Sequence, residues 1–187
     1  MKPWRNVAAD TLPEGFDLMD WKLPEYSEES LLKCRSLCAE NKCGSYGRTW
    51  GCPPGYSGNI RDLRGKYDMA GVFKKRFEVD FRDVMALEKL GEDLQTHVRN
   101  VVLALRREGY VSEGFSDGGC RYCGVCSYPE PCRFPEMLIP SVSALGIDMA
   151  EFAKANGEGF AFEKDAVTLY GVVFIGSPRY NLLLNAR

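Results

Sequence analysis

DVMALEKLGEDLQTHVRNVVLALRREGYVSEGF, residues 83–115, carries the longest periodic segment of the chain and the apolar stretch that follows it. Val84, Leu87, Leu90, Leu94, Val98, Val101 and Leu105 recur at intervals of three and four, which places them along one side of a helix that begins at or just before Asp83. Gly109 ends that helix. The stripe runs for fewer than four heptads, so it reads as the core face of a helix lying on a sheet and not as a coiled-coil seam. Tyr110–Phe115 then reads as a strand that delivers the chain to Gly118, Gly119 and a cluster of cysteines.

Upstream, Tyr67–Val79 has the apolar and aromatic content of a strand, interrupted by Lys74, Lys75 and Arg76, so one of its faces is expected to meet solvent. Strand, helix, strand predicts a parallel pair joined by a right-handed crossover. Phe160–Phe162 and Val167–Ile175 predict a closing pair of strands joined by the polar Glu163–Asp165 turn, which makes the sheet mixed. Between the cysteines and that pair, Ile139-Pro-Ser141 opens a short helix, with Ser141 as its cap, through Ala144, Met149, Phe152 and Ala153 to Gly157. At the amino end, Ser27 or Ser30 caps a helix through Leu31, Leu32 and Leu37, with Glu28 and Glu29 at its positive end. Residues 1–30 lack sustained periodicity and read as an extended arm packed over the body. The expected fold is α+β (mixed α/β): a single domain with a small mixed sheet, one long amphipathic helix on it, and two cysteine-rich loops.

Composition narrows the function classes. Lys plus Arg total 24 against 26 for Asp plus Glu, which leaves no basic excess for a nucleic-acid backbone and no polybasic stretch for an anionic membrane. Met1–Asp10 has no apolar core of signal-peptide length, and no run approaches the ~20 apolar residues of a membrane span. A cytoplasmic protein is expected. In that reducing setting, clustered cysteines ordinarily bind metal instead of pairing as disulfides.

The eight cysteines fall into two groups of four. Cys120, Cys123 and Cys126 are spaced by two residues each and Cys132 follows, a spacing that lets one turn of backbone aim three thiolates into a common space, as in iron–sulfur loops. Gly118, Gly119 and Gly124 permit the tight turns such a loop needs, and Phe115, Tyr122 and Phe134 supply apolar bulk around it. Five residues separate Cys126 from Cys132, more than the three of the bacterial ferredoxin run, which makes Cys132 the least regular ligand. Zinc on four cysteines ordinarily uses two C-x2-C pairs and leaves the third evenly spaced thiol without a role, so the spacing favours a cluster. Cys34, Cys38, Cys43 and Cys52 are more loosely spaced, and the pattern leaves a second [4Fe–4S] cluster, zinc, and a mixed use of the thiols all open. Cys34 and Cys38, four residues apart, share one helix face.

Other chemistry is sparse. The single histidine, His97, lies beside the core stripe and reads as a packed imidazole. Arg35, Arg48, Arg121 and Arg133 lie near cysteines, where they could offset thiolate charge or meet an anionic substrate.

Tyr46-Gly-Arg-Thr-Trp50-Gly-Cys52-Pro-Pro54, Gly119-Cys120-x2-Cys123-x2-Cys126, Cys132-Arg133-x-Pro135 and Pro140-Ser-Val-Ser-Ala-Leu-Gly-Ile-Asp148 together resemble the predicted metal-binding proteins known as domain of unknown function 2284. The resemblance spans about residues 34–176. It implies metal ligands at Cys43 and Cys52 and at Cys120, Cys123, Cys126 and Cys132, with Cys34 and Cys38 matching less closely. It also implies an iron–sulfur carrier of the kind found mostly in anaerobes, with no general reaction attached. Two [4Fe–4S] clusters passing electrons to or from a partner redox protein is the leading expectation. An enzyme with a ligand near Tyr46, Arg48 and Trp50, and a zinc-stabilised interaction module, are the alternatives.

Overall fold

The structure, a computed structural model, describes residues 1–161 and 163–177. Its centre is a four-stranded sheet made of β1 (Asp17–Trp21), β2 (Met69–Glu78), β3 (Val111–Phe115) and β4 (Ala166–Gly176), in the order β1-β2-β4-β3. Every neighbouring pair is antiparallel, so the sheet is not mixed. The expected parallel pair fails for a specific reason. β2 and β3 do run in the same direction, but β4 lies between them and pairs with both.

β4 earns that central place through its composition. Val172 and Phe174 pack into the core on one face while Val173 and Ile175 pack into the core on the other. A strand covered on both sides has no need of polar alternation. One layer over the sheet is formed by α1 (Trp4–Thr11) and α4 (Val84–Arg107). The opposite layer contains α3 (Ile60–Leu63), the single-turn 3-10 segment Val142–Leu145 and α5 (Met149–Ala155), with α2 (Glu28–Ala39) against that 3-10 segment. The content of helix and strand is that of an α+β fold.

Residues 1–30 are not an extended arm. Trp4, Val7 and Ala8 of α1 are buried, Trp4 Nε1 donates to Asp20 Oδ1 at 2.7 Å, and β1 forms the sheet edge. Two turns of helix and five residues of strand are too short to show a period, which is why the sequence read as irregular. The helix expected from Ser141 is divided: the 3-10 turn stops at Gly146, whose φ is +82°, and α5 restarts under a new cap, Asp148, which accepts from the Ala150 N–H at 3.0 Å. Of the expected hairpin, Phe160 and Ala161 lie outside the strands, and Phe162 lies outside the described residues. Phe160 instead stacks near Tyr170, ring centroids 5.6 Å apart.

Asp83 caps α4 by accepting from the Ala86 N–H at 3.0 Å. Leu94, Val98, Val101 and Leu105 are buried as the period requires, while Val84 and Met85 in the first turn project into solvent. His97 packs edge-on to Phe16 with ring centroids 5.5 Å apart, and burial lowers its pKa. No helix among the described residues is long and apolar enough to cross a membrane.

Gly171 in β4 faces the ring of Phe73, which occupies the space a Cβ would need. Phe73 is wholly buried. Gly171→Ala is therefore expected to overpack the core by about 1–3 kcal/mol, read as a fall in thermal midpoint of roughly 2–10 °C.

Candidate metal centres

The first cysteine group is assembled from a helix and the loop after it. Ser27 caps α2 by accepting from the Ser30 N–H at 3.1 Å, and this sets the register that turns Cys34 and Cys38 to the same side. Cys43 and Cys52 come from a loop held by its own backbone: Gly47 N–H donates to Pro53 O at 2.9 Å and Tyr56 N–H to Cys52 O at 2.8 Å. All four side chains line one open cavity of about 590 Å³. Cys34 and Cys52 are buried, at 5% and 4% exposure. Burial pushes the thiols of Cys34 and Cys38 above their usual range and that of Cys52 to about 11, so without a cation they are protonated at neutral pH.

The second group hangs from α4. Gln95, fully buried, donates through Nε2 to Asp117 O at 3.2 Å and Gly119 O at 2.9 Å, and accepts from the Arg121 N–H at 2.9 Å. One amide thus grips the backbone on both sides of Cys120. Four residues earlier, Gly91 leaves the space that the Arg121 guanidinium fills. Four residues later, Arg99 lies 4.9 Å over the Tyr122 ring and donates to Met137 O at 2.9 Å. Gly91, Gln95 and Arg99 form a buried row at i, i+4, i+8 next to the apolar stripe, and the whole row serves the cysteine loop. Sequence reading followed the apolar stripe and missed this row. A glycine, a glutamine and an arginine at four-residue spacing beside the stripe were the available signal.

Within the loop, Gly118 and Gly124 adopt the expected positive φ, +61° and +65°. Gly119 does not; its role is close approach, since a Cβ there would stand 2.8 Å from Thr49 Oγ1 and 3.1 Å from Ser45 Oγ. Arg133 Nη2 donates to Val125 O at 2.5 Å and ties the Cys132 arm back to the turn. The Tyr122 and Phe134 rings meet edge-on at 5.4 Å. Cys120, Cys123, Cys126 and Cys132 are all partly exposed.

The two groups touch. A Cβ on Gly51 would lie 2.7 Å from Cys120 N and 2.9 Å from Cys120 Cβ, so the backbone before Cys52 rests directly on Cys120. Burial is the main cause of the Cys52 shift, and as thiolates Cys43, Cys38 and Cys120 would add repulsion to a charge there. The Ser141 N–H donates to Gly51 O at 2.9 Å, while the Ser116 N–H donates to Pro140 O at 3.1 Å and the Val142 N–H to Ser116 O at 3.0 Å, so the Pro-Ser segment locks the contact to the end of β3. Trp50 closes the outer edge: its Nε1 donates to Glu130 O at 2.8 Å and its ring meets Tyr128 at 5.2 Å. Trp50 is therefore a joint between the loops. Neither it, nor Tyr46, nor Arg48 lines the large cavity; Tyr46 lines a separate one of about 230 Å³ with Arg35, Pro53 and Tyr56.

Among the described residues no three cysteine, histidine or acidic side chains stand as a ready-made ligand group. The surroundings of the thiols nevertheless fit an anionic, thiolate-bound metal. Among the described residues four buried side-chain atoms that can donate, Arg35 Nε, Thr49 Oγ1, Arg99 Nη2 and Arg121 Nη1, have no well-aligned hydrogen-bond partner, although the Thr49 hydroxyl interacts with the Cys52 thiol. Orphaned buried donors are costly, at about 1–3 kcal/mol each, and those of Arg35 and Thr49 act on Cys38 and Cys52, where they match a group rich in acceptors. Arg35 also donates to Ser57 O and Gly58 O, and so serves the loop as well.

Soft thiolates, orphaned donors and glycine-permitted close approach define a cysteine-rich metal-binding protein. The chain belongs to the predicted metal-binding protein family DUF2284, whose sequence profile matches residues 30–175. No curated protein and no solved structure matches it.

Proposed function

We propose that this protein is an iron–sulfur protein with two adjacent [4Fe–4S] centres, one held by Cys34, Cys38, Cys43 and Cys52 and the other by Cys120, Cys123, Cys126 and Cys132. It would relay electrons to or from a partner redox protein. The observation that carries this reading is the contact between the Gly51–Cys52 backbone and Cys120, which makes neighbours of two cysteine groups about 70 residues apart. An electron relay needs that proximity; two structural zinc sites do not. When bound, the clusters supply one-electron transfer.

The chain's own residues divide the work. Cys34 and Cys52 are buried, and burial with exclusion of water is a lever on potential. The second group is more open, rimmed by Tyr122, Val125 and Phe134 at 41%, 80% and 43% exposure, which supports exchange with a partner on that side. Arg35, acting on Cys38, and Thr49, acting on Cys52, would offset charge that accumulates on sulfur.

Protein purified without oxygen is expected to be brown, to lose visible absorbance with dithionite, and to carry on the order of eight irons per chain. Cys123→Ser should remove about half of the iron and leave the spectrum of the first centre; Cys52→Ser should do the converse. In the reduced wild type, the electron paramagnetic resonance signal should be broadened by interaction between the two centres and sharpen in either variant. A colourless protein with about two zinc ions would overturn the redox reading.

A further inference from the structure

The cavity beside the first cysteine group has chemistry that metal binding does not use. At about 590 Å³ it is far larger than one coordination sphere and lies within the ~300–1,000 Å³ range of small-molecule sites. Cysteines line only part of it. Leu37, Ile147, Met149 and Phe160 supply an apolar wall, drawn from α2, the turn before α5, the first residue of α5 and the segment after it.

The polar part of the lining is one-sided. Among the described residues Asp148 is the only carboxylate there, and both its oxygens are engaged: Oδ2 accepts from Lys33 Nζ at 2.8 Å, and Oδ1 from the amides of Ala150 and Glu151 at 3.0 and 3.4 Å. Lys33 holds the Asp148 carboxyl below its usual range, so it stays a charged acceptor already in use. The donors are in excess. Lys33 and Lys42 stand at the solvent rim of the cavity, with side chains 59% and 83% exposed; an ammonium has three N–H bonds and each shows one acidic partner, Asp148 and Glu40, so the rest are left to water or a ligand. Ser141 and Ser143 add hydroxyls to the same lining. An apolar wall facing surplus donors selects a molecule with an apolar body and an acceptor head.

We propose that this cavity binds a small organic acid, its carboxylate toward Lys33 and Lys42 and its apolar body along Met149 and Phe160, against the first cysteine group. The site rests on the cavity and not on the identity of the metal, so it stands whether iron or zinc is bound.

Calorimetric titration of the anaerobically purified protein with benzoate and with hexanoate tests it, with benzyl alcohol as the uncharged comparison. At least one of the two acids should bind, and at least about tenfold more tightly than benzyl alcohol, as expected for hydrogen bonds to a charged group. Ala150→Trp fills the cavity from an exposed helical position and should weaken the acid about tenfold or more, while metal content stays at the wild-type level. Lys33→Met combined with Lys42→Met should remove the preference for acid over alcohol. Absence of binding by both acids overturns the proposal. So does equal affinity for acid and alcohol, or unchanged binding in Ala150→Trp. Metal analysis of the same samples separates these outcomes from failure of the iron–sulfur reading.

Discussion

Gly51→Ala will lower the thermal midpoint by roughly 3–10 °C and deplete metal from both cysteine groups at once. The added methyl would sit 2.7 Å from Cys120 N, 2.9 Å from Cys120 Cβ and 3.1 Å from Ile139 O. Two of those three atoms are backbone, which no rotamer change can move aside. Gly51 is not among the residues with positive φ, so alanine meets no dihedral objection and the effect is purely one of space. The strand end that Gly51 O holds through the Ser141 N–H would move with it. Gly159→Ala is the control: nothing lies within 4 Å of its Cβ position, and the change should stay within about 0.5 kcal/mol. Melting curves with metal analysis check both variants. Metal loss confined to one group in Gly51→Ala would show that the groups are built independently.

Gln95→Leu is expected to cost about 2–4 kcal/mol and to empty the second centre while sparing the first. Leucine fills the volume but abandons two carbonyls and one N–H around Cys120. Gly119 is buried, so its freed carbonyl has no easy access to water, whereas Asp117 is exposed and recovers a partner. Gln95→Glu separates grip from size. It can still accept from the Arg121 N–H, but it sets a carboxylate against the two carbonyls, and at neutral pH it should fail as badly as leucine. Hydrogen exchange at residues 117–126 should accelerate in both variants before any change appears in α2. Equal loss of both centres would mean that Gln95 supports the fold generally and does not position this loop.

Legibility in the sequence followed the range of the interaction. Helix α4, the cap at Ser27 and the turn glycines Gly118 and Gly124 are set by neighbours within a few residues, and reading them needed only a period or a spacing. The divided helix after Ser141 was missed because Gly146 is a single residue whose αL turn is hidden within an otherwise helical composition. Its other constraint is distant: a Cβ there would press on Leu31 of α2. α1 and β1 were missed because their order comes from docking, in which Trp4 meets Asp20 and β1 meets β2.

By itself the sequence determined the inventory of the site: eight thiols, their division into two groups, the even spacing of Cys120, Cys123 and Cys126, and an α+β body to carry them. Composition and spacing are enough for that, because they are properties of the chain before it folds. Only the tertiary structure decided that the two groups touch at Gly51 and Cys120, that the Gly91, Gln95 and Arg99 row holds one of them, and that the other opens on a cavity. Those relations depend on β4 inserting between β2 and β3, a pairing across long stretches of chain driven by burial on both sheet faces, and no local pattern records it.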